Sequence, residues 1–233
     1  MEDKVRRSVM IALLALLALA LASPMALGQV GQGAKASGKA GEQVAAWWQW
    51  ALSKPAEENP LVGSYSGGPQ CDGEPVTEVS GKKWFLGGSF SEEPVVRTCT
   101  APVGTQFFFP VVNVVIVPFP GETEEQLLEQ ANEVLDAQLA EADIEVTVDG
   151  RTIKTKRLVR ADTGFFTAEV PEGGVLAPGS YQLVAAGLWA TLPPLPPGEH
   201  TVHFEITGAD FDQDITYRLT VVNGKSVQTT NSR

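Results

Sequence analysis

The sequence predicts a mainly β protein, an antiparallel β-sandwich of the jelly-roll or Ig-like kind with one short N-terminal helix and one longer helix. Three observations carry this. Eight or nine segments have the aromatic and β-branched content and the two-residue period of strands, only two segments have a helical period, and strand and helix do not alternate as a parallel α/β fold requires. With 233 residues, 43% of them apolar, and a mean hydropathy of zero, the chain can bury a sizeable core and is neither disordered nor a multi-span membrane protein. Its net charge of −11 argues against nucleic acid and anionic membranes as partners, because a phosphate-binding surface needs clustered Lys and Arg.

Taken in order, residues 1–28 read as a secretory signal peptide: Lys4, Arg6 and Arg7, then 14 unbroken apolar residues from Val9 to Ala22, then small residues ending at Gly28. Fourteen residues rise about 21 Å as a helix, short of the roughly 30 Å hydrocarbon core, so no stable membrane anchor is expected after cleavage. Cleavage fits after Ala22 or after Gly28, and no Cys follows that would suit a lipoprotein. Cutting after Gly28 removes three basic and two acidic residues and leaves −12 on the mature chain. The expected location is secreted or periplasmic. In such an oxidising compartment the two cysteines of the chain, Cys71 and Cys99, read as one structural disulfide closing a loop 28 positions long, worth about 3.5 kcal/mol in the chain-entropy model.

Residues 29–41 read as a Gly-rich flexible leader. Glu42–Ser53 puts Val44, Trp47, Trp48, Ala51 and Leu52 on one helical stripe, which Pro55 stops. Residues 55–82, rich in Pro, Gly, Asn and Ser, form a long loop. Strands follow at Lys83–Phe90, Pro94–Thr100 and Thr105–Val117, with Gly87-Gly88 marking a bend and Pro110 a bulge or break. Thr123 and Gln126 form a capping box for the long helix, whose Leu128, Ala131, Leu135, Leu139 and Ala142 recur at helical spacing. Ile144–Val148 and Thr152–Val159 form a hairpin across Asp149-Gly150. The remaining strands are Phe165–Val170, Ser180–Ala190, His200–Thr207 and Asp214–Val222, with Thr191–Gly198 a polyproline strap before the third of these. One sandwich domain over 42–222 and a polar tail over 223–233 complete the organisation.

The motifs Trp47-Trp48-Gln49-Trp50, Asn59-Pro60, Cys71, Trp84-Phe85-Leu86-Gly87-Gly88, Arg97-Thr98-Cys99, Phe108-Phe109-Pro110-Val111-Val112-Asn113 and Pro197-Gly198-Glu199-His200-Thr201-Val202-His203-Phe204 resemble an uncharacterised family of exported bacterial proteins across most of residues 44–221. The resemblance implies a single exported, disulfide-bonded unit and brings no activity with it.

Three constellations are candidates for function. Trp47, Trp50, Trp84 and Trp189 are either the largest pieces of the core or stacking platforms for a sugar. Eight acids between Glu122 and Asp143 contrast with Arg151, Lys154, Lys156, Arg157 and Arg160. Either the two segments neutralise each other, or the basic residues protect a strand edge, or Lys154 and Lys156 lead a grip on an anionic glycan. Asp210, Asp212 and Asp214 alternate as calcium ligands can, yet Ile215 and Val221 stand where an EF-hand needs Gly and Glu, so the segment is either a solvated turn or a looser calcium site, and no metal is assigned to it. His200 and His203 are three apart in a strand and point to opposite faces, one half-buried and the other exposed. Gly63-Ser64-Tyr65-Ser66-Gly67 places Tyr where a nucleophile elbow needs Ser, and no cofactor motif occurs. The expected function is an exported, non-catalytic binding or surface-associated module for an extracellular glycan or another envelope protein. The alternative is a carbohydrate-active hydrolase using two carboxylates.

Overall fold

The computed structural model describes residues 38–59, 61–62, 83–91, 93–153, 157–208 and 212–223. The predicted signal peptide, Cys71, Lys154, Lys156, Asp210 and nearly all of the predicted tail lie outside the described residues. In chain order the elements are α1 (Lys39–Leu52), β1 (Lys83–Phe85), β2 (Val95–Pro102), β3 (Gln106–Ile116), α2 (Glu124–Glu141), β4 (Asp143–Val148), β5 (Arg151–Thr152), β6 (Leu158–Asp162), β7 (Phe166–Val170), β8 (Gly179–Leu192), β9 (Gly198–Thr207) and β10 (Gln213–Val222).

The strands form two sheets. The first runs β1-β3-β8-β6, with β7 also on β8, and the second runs β2-β10-β9-β4-β5. The protein is mainly β as expected, but the sheets are mixed rather than purely antiparallel, because β1 pairs parallel with β3 and β2 pairs parallel with β10. A parallel partner sits far away in sequence, so no turn signal announces it. The hairpin prediction is also corrected in part. Asp149 (φ 51°) and Gly150 (φ 70°) make the two-residue turn, with Val148 opposite Arg151, but the second arm is only two residues long and the chain then enters the other sheet as β6.

β6 and β7 pair in succession with β8, Leu158–Asp162 against Ala190–Ala186 and Phe166–Val170 against Leu183–Gly179. At the break the Thr163 N–H donates to the Ala185 carbonyl and the Thr163 hydroxyl accepts from the Ala185 N–H, each at 2.9 Å, so the ladder continues through the interruption. The edge is covered as well, since Gln49 of α1 donates to the Thr167 carbonyl (2.8 Å) and Glu124 of α2 accepts from the Phe165 N–H (2.8 Å). The predicted Pro110 bulge is present as a register shift between Pro110 and Val112 against β8.

Alternation within the strands sorts the side chains into two cores. Phe107, Phe109, Ala190, Leu192, Phe204, Ile215, Tyr217 and Leu219 fill the space between the sheets, where Phe109 stacks on Phe204 at 5.0 Å between centroids. Helix α2 packs on that same face of the first sheet through Ala131 and Leu135. Its capping box is formed as the Thr123 and Gln126 pair predicts. The second core lies on the other face of the first sheet, where α1 seats Val44, Trp47, Trp48, Ala51 and Leu52, the stripe read from the sequence, against Phe108, Ala185 and Trp189. Helix α1 begins at Lys39, so the end of the predicted leader is helical.

Candidate functional site

The segment Leu86–Gly88, which follows β1, is held from both sides. From the α1 layer, the Trp47 indole N–H donates to the Leu86 carbonyl at 3.0 Å. From the inter-sheet core, Arg97 of β2 donates through Nη1 to the Gly87 carbonyl (2.8 Å) and the Tyr217 hydroxyl (2.7 Å), and through Nη2 to the Gly88 carbonyl (2.9 Å). Tyr217 of β10 donates to the Gly87 carbonyl (2.9 Å) and accepts from the Gly87 N–H (2.8 Å). Arg97 is 3% exposed, and its guanidinium lies 5.4 Å from the Tyr217 ring centroid, so it combines a planar fork of donors with a cation–π contact. Burial pushes the Tyr217 phenol up, which keeps its proton available for Gly87.

The signal for Arg97 was present in the sequence. In β2, Val95, Arg97, Cys99 and Ala101 share the inward face and Val96, Thr98 and Thr100 the exposed one, so the alternation that defines the strand also places a cation inside. Cys99 is buried on that face, while Cys71, its predicted disulfide partner, lies outside the described residues.

Of the four tryptophans weighed as core pieces or as a platform, Trp47 and Trp189 belong to the core. Trp47 is fully buried and Trp189 is 1% exposed, Trp189 stacks on Phe108 at 5.0 Å, and Trp47 meets Trp48, Trp50 and Trp189 edge-on at 5.0, 5.9 and 5.4 Å. Rings covered on their faces offer a sugar nothing to stack on. Trp50 is half-buried in the same cluster, and Trp84 points the other way and packs half-buried on the inter-sheet core. Gly187 is required beside Trp189, because a Cβ there would lie 2.6 Å from the indole nitrogen and 2.8 Å from the Val112 carbonyl oxygen. Lys83 is buried above Phe108, its Nζ 5.6 Å from the ring centroid, and burial pulls its amine below the usual lysine range.

The other motif residues also have structural tasks. Buried Asn59 donates to the Ala51 carbonyl at the end of α1 (2.7 Å) and accepts from the Leu61 N–H (2.9 Å). His200 lies with Nδ1 2.8 Å from Asp149 Oδ2 and Nε2 2.9 Å from the Pro196 carbonyl oxygen. His203 faces outward, half-buried rather than exposed, with Nε2 3.0 Å from Asp214. The two histidines therefore point apart as expected, and each is paired with a carboxylate.

Of the charge contrast, the mutual reading has direct support: Arg160 of β6 pairs with Asp136 of α2 and donates to Asn132 Oδ1 at 2.8 Å. Among the acids considered for calcium, Asp212 accepts from the Gly208 N–H (3.1 Å) and Asp214 is engaged by His203, and no group of three metal-ligating side chains occurs among the described residues.

The outer face of the second sheet has no helix over it among the described elements. It presents Thr98, Thr100, Thr147, Thr201 and Thr216, and a row of carboxylates in which Asp214 stands opposite Glu205 and Glu205 opposite Glu145. Arg218 and His203 share it, and no Phe, Tyr or Trp lies on it among the described residues.

No protein-family model matches this chain, and no curated protein matches it. Among solved structures, amebosin is similar at 11% identity and a TM-score of 0.23, over 61% of this chain and all of that one. A cysteine protease inhibitor from Entamoeba histolytica is similar at 12% and 0.24, over 60% of this chain and 96% of that one. A family 123 glycoside hydrolase from Clostridium perfringens is similar at 11% and 0.23, over 55% of this chain and 23% of that one. At these scores the likenesses carry no argument about fold or activity.

Proposed function

We propose that this chain is an exported, non-catalytic binding or surface-associated module, with Cys71 and Cys99 joined in a disulfide and an extracellular glycan or another envelope protein as its partner. The observation that carries the reading is how the chemically capable residues are used: Arg97, Tyr217, Asn59, His200 and Trp47 spend their polar atoms on backbone groups and on neighbouring side chains. A catalytic set needs groups held ready for a substrate, with a general acid raised above its usual range. Desolvation is the largest single influence on the carboxyl of Asp149 and would raise it, yet the His200 hydrogen bond, the Thr201 N–H and the charges of His200 and Arg151 together hold it below its ordinary value. The acidic composition speaks for partners other than nucleic acid. Among the described residues no helix is long and apolar enough to cross a membrane.

The test is a thermal-shift screen against a glycan array, paired with a reducing-sugar assay on the same polysaccharides. A rise in Tm with a glycan and no release of sugar is the expected outcome. Turnover of any polysaccharide overturns the reading in favour of a carboxylate-dependent hydrolase. Mass spectrometry of the alkylated, unreduced protein should find neither cysteine modified.

A further inference from the structure

His200 is the one described histidine with an acceptor at each ring nitrogen: a carboxylate at Nδ1 and a backbone carbonyl at Nε2. A neutral imidazole donates from one nitrogen only and would turn a lone pair toward the other acceptor, whereas the imidazolium donates from both. The two acceptors belong to different parts of the chain. Asp149 is the first residue of the β4–β5 turn, fixed by its own N–H donating to the Thr201 carbonyl (2.8 Å) and by its Oδ1 accepting from the Thr201 N–H (2.9 Å). Pro196 belongs to the polyproline strap between β8 and β9, which carries the chain from one sheet to the other and rests Leu195 against the inter-sheet core.

We infer that protonated His200 is a pH-sensitive latch, fastening the strap to the β4–β5 turn and letting it go when the ring loses its proton. Among the described residues the charged groups around the ring are few. Asp149 faces it from the β4–β5 turn and Glu199 from its own strand, and both favour the charged form. Arg151 of β5 acts on Asp149, the strap offers only carbonyl oxygens at this point, and the residue of β10 in register with His200 is Leu219. The Asp149 hydrogen bond is the largest influence and raises the imidazole above its ordinary value, with the Pro196 carbonyl adding to the rise and desolvation opposing it. Because the folded value is the higher one, the latch contributes its full stability below about pH 6.5, the ordinary value, and loses it as pH rises through the folded value.

The test is an NMR titration of the full chain that follows the His200 ring carbons, both ring nitrogens and the Leu195 methyl groups. The expected result is a His200 midpoint above 6.5, both nitrogens protonated below it, and Leu195 methyl shifts that titrate with the same midpoint. Asp149→Asn should move both midpoints down together, and His200→Gln should leave the Leu195 methyls flat across the range. A His200 midpoint at or below the ordinary value, a neutral ring throughout, or Leu195 methyls that do not follow the ring overturns the latch. Should His200→Gln fail to fold, the joint movement in Asp149→Asn decides the matter alone.

Discussion

The outward faces of the two sheets differ in kind. The first sheet turns Phe108, Trp189 and Ala185 outward and closes them under α1, so it is apolar on both sides. The second sheet turns threonines and charged residues outward and leaves them open, so its strands alternate apolar and polar along their length. The contrast teaches where a partner can be met. Of the tryptophans that suggest a binding platform, Trp47, Trp50 and Trp189 belong to the closed face and Trp84 packs on the inter-sheet core, whereas the open face offers hydroxyls, carboxylates, Arg218 and His203.

Two substitutions sharpen the contrast. Trp189→Ala, on the closed face, opens a cavity among Trp47, Phe108 and α1 and should cost about 4 kcal/mol in urea unfolding. A loss below about 1 kcal/mol would mean that α1 does not depend on the rings beneath it. Glu205→Thr, on the open face, breaks the row of like charges with Asp214 and Glu145 and should stabilise the protein by about 0.5 kcal/mol at low salt. The gain should shrink as salt screens the row, and a destabilisation would show that these carboxylates hold something together.

Much of the local structure was legible because it is written in short-range chemistry. Thr123 and Gln126 announce α2, Pro55 follows the end of α1, the stripe from Val44 to Leu52 names the buried face, and Asp149-Gly150 gives the turn. Leu127, fully buried in α2, stands one residue before the helical stripe that begins at Leu128, and adjacent leucines leave the sequence no means to choose between them. What the sequence hid is long-range. Pairing β2 with β10 joins residues more than a hundred positions apart, and only that pairing brings Arg97 to Tyr217. The same pairing explains why Lys83–Phe90 is not one strand: after Phe85 the backbone leaves the ladder and gives its carbonyls to Trp47, Arg97 and Tyr217. A composition rule that puts tryptophan in binding sites and arginine on surfaces fails at Trp47, Trp189 and Arg97, since burial decides each of them.

Trp47, Leu86–Gly88, Arg97 and Tyr217 form one structural unit joining the α1 layer to the second sheet. A double-mutant cycle on Trp47→Phe and Arg97→Met, read by urea unfolding, tests it most directly. Each single change removes donors from adjacent carbonyls of the same segment, and Arg97→Met alone should cost about 3 kcal/mol, the size of charge-assisted bonds lost in a core. The two changes should interact by at least about 0.5 kcal/mol, because the second finds the segment already loosened. Losses that add to within about 0.3 kcal/mol would show two independent contacts and contradict the single unit.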